Sequence, residues 1–266
     1  MMIDVHGTPL YAYTGGKRFN PDQPTVVFIH GVLNDHSVWA LQTRYLAHHG
    51  WNVLAIDQTG HGRSGGDPPA SVHDASRTLL SLLDVLQIRQ AALVGHSFGS
   101  LIALQTAADA PDRVSHLAMV GTAYPMRVSP ALLEASRDQP LKAIDMVNTF
   151  SHSTLAPPPS TLGPGTWLLG SSRALMRRVL ASHPHINLFH QGFVACDQYD
   201  QGEQAMERVQ CPTLFILGAL DQMTPPKNAR SLISRARHGH TVELAAGHSL
   251  MTERPDEVLQ TLRAFL

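Results

Sequence analysis

The chain has 266 residues and a mass of 29.0 kDa, enough for a single large core that buries roughly 75% of the unfolded surface without disulfides or a structural metal. That excludes a stapled mini-protein. Its 20 basic and 21 acidic residues leave a formal charge of -1 with no run of five like charges, so neither nucleic acid nor an anionic membrane is the expected partner, and a small neutral molecule is.

Taken in chain order, short apolar runs alternate with longer helical patterns, the signature of βαβ units and a parallel sheet. Met2 to Val5 and Leu10 to Tyr13 read as an opening antiparallel pair around His6-Gly7-Thr8-Pro9. Thr25 to Ile29 is a buried strand. Ser37 to His49 reads as a helix with Val38, Leu41, Tyr45 and Leu46 on its inner face. Next come the strand Asn52 to Ile56, the helix Val72 to Leu86 with a stripe of Leu79, Leu82, Leu83 and Leu86, and the strand Ala91 to Val94. A helical pattern over Ser100 to Ala108, with Leu101, Leu104 and Ala108 on one side, precedes the strand Val114 to Val120.

The alternation then stops for about 75 residues and resumes at Thr213 to Leu217. Between them, helices are expected at Pro130 to Ser136, Pro140 to Phe150, Thr166 to Ser182 and Ile186 to Tyr199, around a loop Ser151 to Gly165 that carries Pro157-Pro158-Pro159. The last elements are the helix Pro226 to Arg235, the strand Thr241 to Leu244 and the helix Pro255 to Leu266. This gives an α/β fold with a mostly parallel, doubly wound eight-stranded sheet, a core of residues 1–121 and 200–266, and a helical cap at 122–199. Met126, Met146, Leu155, Trp167, Leu168, Met176 and Phe189 in the cap are divided between internal packing and pocket lining, which motivates a mainly apolar pocket.

In doubly wound sheets ligands bind beyond the carboxyl ends of the strands, and there the chemistry-bearing residues collect. Gly95-His96-Ser97-Phe98-Gly99 follows a strand and opens a helix, the setting of a nucleophile elbow. A serine hydroxyl needs a base, and a sharp turn lifts it clear of the backbone to meet one. Ser97 is the candidate nucleophile. His248, in the loop between the last strand and the last helix, is the candidate base, and Asp221, directly after Thr213 to Leu217, is the acid that would orient it. The backbone N–H groups of Val32 and Phe98 are the candidate oxyanion donors, Phe98 because it starts a helix and Val32 because Gly31 lets the backbone come close.

These motifs resemble the α/β-hydrolase superfamily with a helical cap, across essentially the whole chain. The resemblance is carried in order by His30-Gly31, Asp57-Gln58-Thr59-Gly60-His61-Gly62-Arg63-Ser64, Gly95-His96-Ser97-Phe98-Gly99, and the Asp221 and His248 loops. It implies a serine hydrolase of the carboxylesterase kind, and structural roles for Asp57 and Arg63 in shaping neighbouring loops. Ser97 departs from the aspartate nucleophile of dehalogenases and epoxide hydrolases of this fold, and Leu33 from the proline of the epoxide hydrolase H-G-x-P pattern. C-C bond hydrolases, cofactor-free perhydrolases or haloperoxidases, and slow-turnover ligand receptors of the fold share the Ser, Asp, His set and stay open as alternatives.

No cofactor and no metal are expected. His183-Pro184-His185 with His190, and His238-Gly239-His240, have no carboxylate or thiolate at ligand spacing and read as polar surface. With 16 histidines and only 15% charged residues, against a typical figure of about 25%, the surface is expected to use His, Ser, Thr, Asn and Gln for solvation, and stability to respond to mildly acidic pH. Cys196 and Cys211 read as two reduced thiols. With no signal-peptide pattern over Met1 to Tyr13 and no run of 18 apolar residues, the expected setting is the cytoplasm.

Overall fold

The computed structural model describes residues 1–153 and 167–266. Its centre is an eight-stranded sheet of β1 (Met2–Val5), β2 (Thr8–Tyr13), β3 (Thr25–Ile29), β4 (Asn52–Ile56), β5 (Ala91–His96), β6 (Val114–Val120), β7 (Thr213–Gly218) and β8 (Gly239–Leu244). The spatial order is β1-β2-β4-β3-β5-β6-β7-β8. β1, β2 and β4 pair antiparallel, and every pairing from β4 to β8 is parallel. β3, β4 and β5 are buried along their whole length, which is why they read as unbroken apolar runs and not as alternation.

Helices cover both faces. On one lie α1 (Ala40–Ala47) and, at the far end of the chain, α11 (Pro255–Phe265), whose Leu46, Val258 and Leu262 pack with Trp39 on Val26, Phe28 and Val94. On the other lie α2 (Val72–Val85) and α3 (Phe98–Asp109), with Leu79, Leu82, Leu83 and Ile102 against Val27, Ile29 and Leu93. The stripe expected on α3 is not one-sided: every residue from Phe98 to Ala108 is buried, because the helix is enclosed by the sheet, α2 and a later helix.

β6 pairs directly with β7 in parallel, Leu117 opposite Thr213, so one crossover helix suffices to join them, and the helices that precede it are an insertion. The insertion contributes α4 (Pro130–Asp138), α5 (Pro140–Ser151), α6 (Leu168–Ser182) and α7 (Leu188–Gln198). They share a separate apolar cluster in which Leu132, Ile144, Met176, Val179, Leu188 and Phe189 gather around Leu33 of the core. The chain then re-enters the core through α8 (Gly202–Arg208), which packs on α3, and continues through α9 (Arg230–Ile233) and α10 (Leu250–Glu253). The Pro157-Pro158-Pro159 stretch, Leu155 and the expected helix start at Thr166 lie outside the described residues. Among the described residues, no helix is long and apolar enough to cross a membrane.

Three expectations are corrected. The inner face of the first helix is set by Trp39, Gln42, Thr43, Leu46 and Ala47, while Leu41 is 38% exposed. Asp35 caps a 3₁₀ turn at His36–Trp39 through the Ser37 N–H, and this turn, with three residues per turn instead of 3.6, shifts the phase of everything after it. The segment from Pro226 divides into a 3₁₀ turn at Pro226–Ala229 and the short α9. Histidine is not confined to the surface: His30, His61, His96, His152 and His248 are buried.

The tightest packing lies between β5, α3 and β3. A Cβ on Gly95 would stand 2.1 Å from the Gly99 carbonyl oxygen, and one on Gly99 would stand 2.3 Å from that of Ile29. These obstacles are backbone, so no rotamer change relieves them. Gly99→Ala is expected to destabilise the fold by about 3 kcal/mol or more, read from urea unfolding. A loss below about 1 kcal/mol, the scale of an ordinary substitution, would show that α3 can retreat from β3.

Candidate active site

Because β3, β5, β7 and β8 are parallel, their carboxyl ends open on one edge of the sheet, and β3 is where the sheet's growth reverses, with β4 on one side and β5 on the other. That edge is where a doubly wound sheet binds ligands. Ser97 sits there between β5 and α3 with φ 52° and ψ −119°, a backbone conformation that costs about 1–3 kcal/mol. Its N–H donates to the Val120 carbonyl at 2.9 Å. Its own carbonyl accepts from the Ser100 N–H at 2.8 Å and the Ser100 hydroxyl at 2.6 Å. The turn is therefore held from both sides. Phe98 is the first residue of α3, so its N–H is among those with no acceptor in the preceding turn.

The structure brings Asp221 and His248 together. His248 Nδ1 lies 2.8 Å from Asp221 Oδ2, with both residues buried. A carboxylate accepts only, so Nδ1 carries the proton and Nε2 is left with a lone pair. Burial alone would raise the Asp221 pKa. The His248 ring, its hydrogen bond and those from Thr224 outweigh burial and hold it at about 2, so the group is ionised at neutral pH. Asp221 Oδ1 accepts from the Met223 and Thr224 N–H groups, each at 2.8 Å.

Three further residues complete the frame, and sequence reasoning gave them no part in it. The Thr224 hydroxyl donates to Asp221 Oδ2 at 2.6 Å and stands 3.0 Å from His248 Nδ1, so it fixes the angle between acid and imidazole. His96 Nε2 donates to the His248 carbonyl at 2.9 Å. Burial pushes the His96 pKa down to about 3, which keeps that ring neutral beside His248. His30 Nδ1 donates to the Gly31 carbonyl at 2.8 Å while its Nε2 accepts from the Gln58 N–H at 3.1 Å. The peptide is planar and trans, so pinning the Gly31 oxygen turns the Val32 N–H the opposite way. No motif spacing announces Thr224. The two histidines do fall inside recognised motifs, but their roles depend on tertiary partners.

Asp57 shapes its loop as expected. Oδ1 accepts from the His36 N–H at 2.8 Å and from His36 Nδ1 at 2.7 Å, and Oδ2 from the Arg63 N–H at 2.9 Å. Arg63 itself turns back over Tyr11, its guanidinium 4.8 Å from the ring centre. Asp35, His36 and Asp57 bring ligand atoms within 4.8 Å of one another. Their carboxylates already accept hydrogen bonds from Ser37, Arg178, His36 and Arg63, so the cluster is a structural knot.

Ser97 and His248 line two cavities, one of about 670 Å³ and one of about 290 Å³. Of the cap residues picked from sequence, Leu168, Met176 and Phe189 line the larger cavity, and Met126 and Met146 the smaller. Trp167 is 59% exposed.

The neutral histidines give stability a pH dependence. Burial lowers the pKa of His61 to about 3, as it does that of His96, and lowers that of His30 as well. An unfolded histidine titrates near 6.5, so between about 6.5 and 3 the unfolded chain binds protons that the native chain refuses. Stability is complete above that window. It is expected to fall as pH drops through it, by up to about 1.4 kcal/mol per pH unit for each of His61 and His96, with His30 acting in the same direction. Urea midpoints that stay level from pH 7 to 4, or a His61→Gln variant with the wild-type slope, would contradict this.

Known proteins bear out the fold. A model described as the alpha/beta hydrolase family matches residues 26–261. The enol-lactonase of Burkholderia xenovorans LB400 superposes with a TM-score of 0.83 at 25% identity, covering 100% of this chain and 99% of that one. A putative carbamate hydrolase of Pseudomonas syringae pv. syringae is 26% identical over 92% of this chain and 94% of its own length. A putative non-heme haloperoxidase of Mycobacterium phage D29 is 36% identical, but over only 37% of this chain and 36% of that protein. With the family match spanning most of the chain and the eight-stranded sheet placing its loops on one edge, the chain belongs to the alpha/beta hydrolase family.

Proposed function

We propose that the protein is a serine hydrolase that cleaves a small to medium, mainly apolar carboxylic ester through an acyl-enzyme on Ser97, with His248 as base and Asp221 as the orienting acid. The observation that carries this reading is the buried, 2.8 Å Asp221–His248 pair lining the same cavities as a serine held in a strained strand-to-helix turn. The names of two of the relatives, the enol-lactonase and the carbamate hydrolase, support the same reading. A lactone and a carbamate both carry a carbonyl with an oxygen or nitrogen leaving group, which is the bond that acyl transfer breaks.

His248 Nε2 takes the Ser97 proton as Oγ attacks the ester carbonyl. The negative charge moves to the carbonyl oxygen, where the Val32 and Phe98 N–H groups receive it, helped by the positive end of α3. On collapse the C–O bond to the alcohol breaks and His248 returns its proton to the departing oxygen. Water then repeats the sequence on the acyl-enzyme, releasing the acid and restoring Ser97. Residues 122–199 act as the cap that closes the site from above, and the apolar walls it supplies suit an uncharged substrate. Cys196 and Cys211 are free thiols, and we place the protein in a reducing, cytoplasmic setting.

The test is initial rates on p-nitrophenyl esters from acetate to laurate, with mass measurement of the intact protein during turnover. Wild type is expected to gain the acyl mass and Ser97→Ala to lose both that adduct and the activity. Equal rates in the two proteins would overturn the reading. Asp221→Asn is expected to lower kcat by about 10³- to 10⁴-fold with the fold intact, since it favours the wrong tautomer of His248. Thr224→Val, which keeps the side-chain shape and removes one hydroxyl, should cost roughly tenfold in kcat with little change in KM, on the scale of one lost hydrogen bond to a charged group.

A further inference from the structure

The two cavities at Ser97 adjoin at a common threshold. Val32, Phe193 and Met223 line both, together with Ser97 and His248. Beyond that threshold the walls part. Val147, Leu168 and Leu175 belong only to the larger chamber, and Val128, Met146 and Phe150 only to the smaller. The partition runs along α5, where the consecutive residues Met146 and Val147 face different chambers, as side chains about 100° apart around a helix must. Phe193 of α7 and Met223 beside Asp221 extend it down to the threshold.

Resting on the ester-hydrolase reading, we infer that the substrate is an uncharged ester with two apolar arms of unequal size, parted by the α5 ridge at the carbonyl, with the bulkier arm in the chamber of about 670 Å³ and the compact one in the chamber of about 290 Å³. At roughly 30 Å³ per water-sized group, the chambers take on the order of twenty and ten heavy atoms. The cations at the walls do not ask for an anionic arm. Arg178 is paired with Asp35 at 2.6 Å, and Arg127 donates to the Asp197 carbonyl at 2.6 Å.

Two isomeric esters isolate the asymmetry: ethyl laurate and dodecyl acetate have the same formula and hydropathy, with the long arm on opposite sides of the carbonyl. Competed in one vessel, they report the ratio of kcat/KM directly. Wild type is expected to favour one isomer at least about fivefold, since apolar pockets discriminate by roughly tenfold or more per misplaced group. Ser172→Trp, on the wall of the larger chamber, is expected to shrink that ratio at least about fivefold, and Met146→Trp, on the wall of the smaller, to keep or enlarge it. Val128→Trp takes the place of Met146→Trp if the latter does not show a wild-type thermal melt. A smaller wild-type ratio, both variants moving the ratio the same way, or hydrolysis of p-nitrophenyl butyrate with neither isomer accepted would overturn the two-arm inference alone. Absence of Ser97-dependent hydrolysis of any ester would instead remove the reading on which it rests.

Discussion

The contact on which the rest of the site depends is the one between α3 and β3. The helix begins so close to the neighbouring strand that the Gly99 position leaves only 2.3 Å between a hypothetical Cβ and the Ile29 carbonyl oxygen. A chain leaving β5 under that constraint must change from strand to helix within one residue, and Ser97 absorbs the change with φ 52°. The cost of about 1–3 kcal/mol is small beside the packing of an α3 buried on every side. Strain at the serine, a Phe98 N–H placed at the helix start and the positive helix end beside them are thus three consequences of one close approach.

Around that turn, neutral imidazoles do the work that charged groups do at many polar sites. His30 and His96 each spend one N–H on a carbonyl of a neighbouring loop, Gly31 and His248 respectively. Burial holds both rings unprotonated, so they position backbone without placing a second positive charge near His248. The full charge that contacts that ring is the Asp221 carboxylate, fixed by two N–H groups and a hydroxyl. An imidazolium forming at His248 would meet that anion, with the His96 ring beside it neutral. The same choice makes the frame sensitive to acid.

The central strands were legible because burial on both faces writes a dense apolar run: Thr25–Ile29 and Asn52–Ile56 occur at the residues that pattern indicates, and Val114–Val120 does so through its buried Leu117 to Val120 half. Ser97, Asp221 and His248 were legible because each follows a strand of the parallel part of the sheet, whose ends must share an edge. What escaped lacks a local signature. α8 has seven residues and α10 has four, too few for a helical period to repeat. The phase of α1 turned on a 3₁₀ turn set by Asp35, and Leu41 was misplaced as a result. Thr224 owes its place to the fold of the loop after β7, and His30 and His96 owe theirs to carbonyls that only the tertiary structure brings near.

The inserted helices follow from the same sheet. The chain leaves β6 at the carboxyl-end edge and, because β7 is parallel to β6, must cross back through α8 to begin β7 at the opposite edge; the helices that precede this crossing rest their apolar cluster on Leu33, one residue beyond Val32. Leu33 is fully buried and takes a positive φ of 54°. The backbone that presents the Val32 N–H is therefore gripped from below by His30 and from above by the cap. Displacing α4 to α7 would uncover the apolar walls and loosen Leu33 in one movement. Under the proposed oxyanion role of Val32, substrate size and oxyanion geometry are then not independent: a change in the packing of α4 to α7 that widens a chamber acts also on the loop that carries Val32.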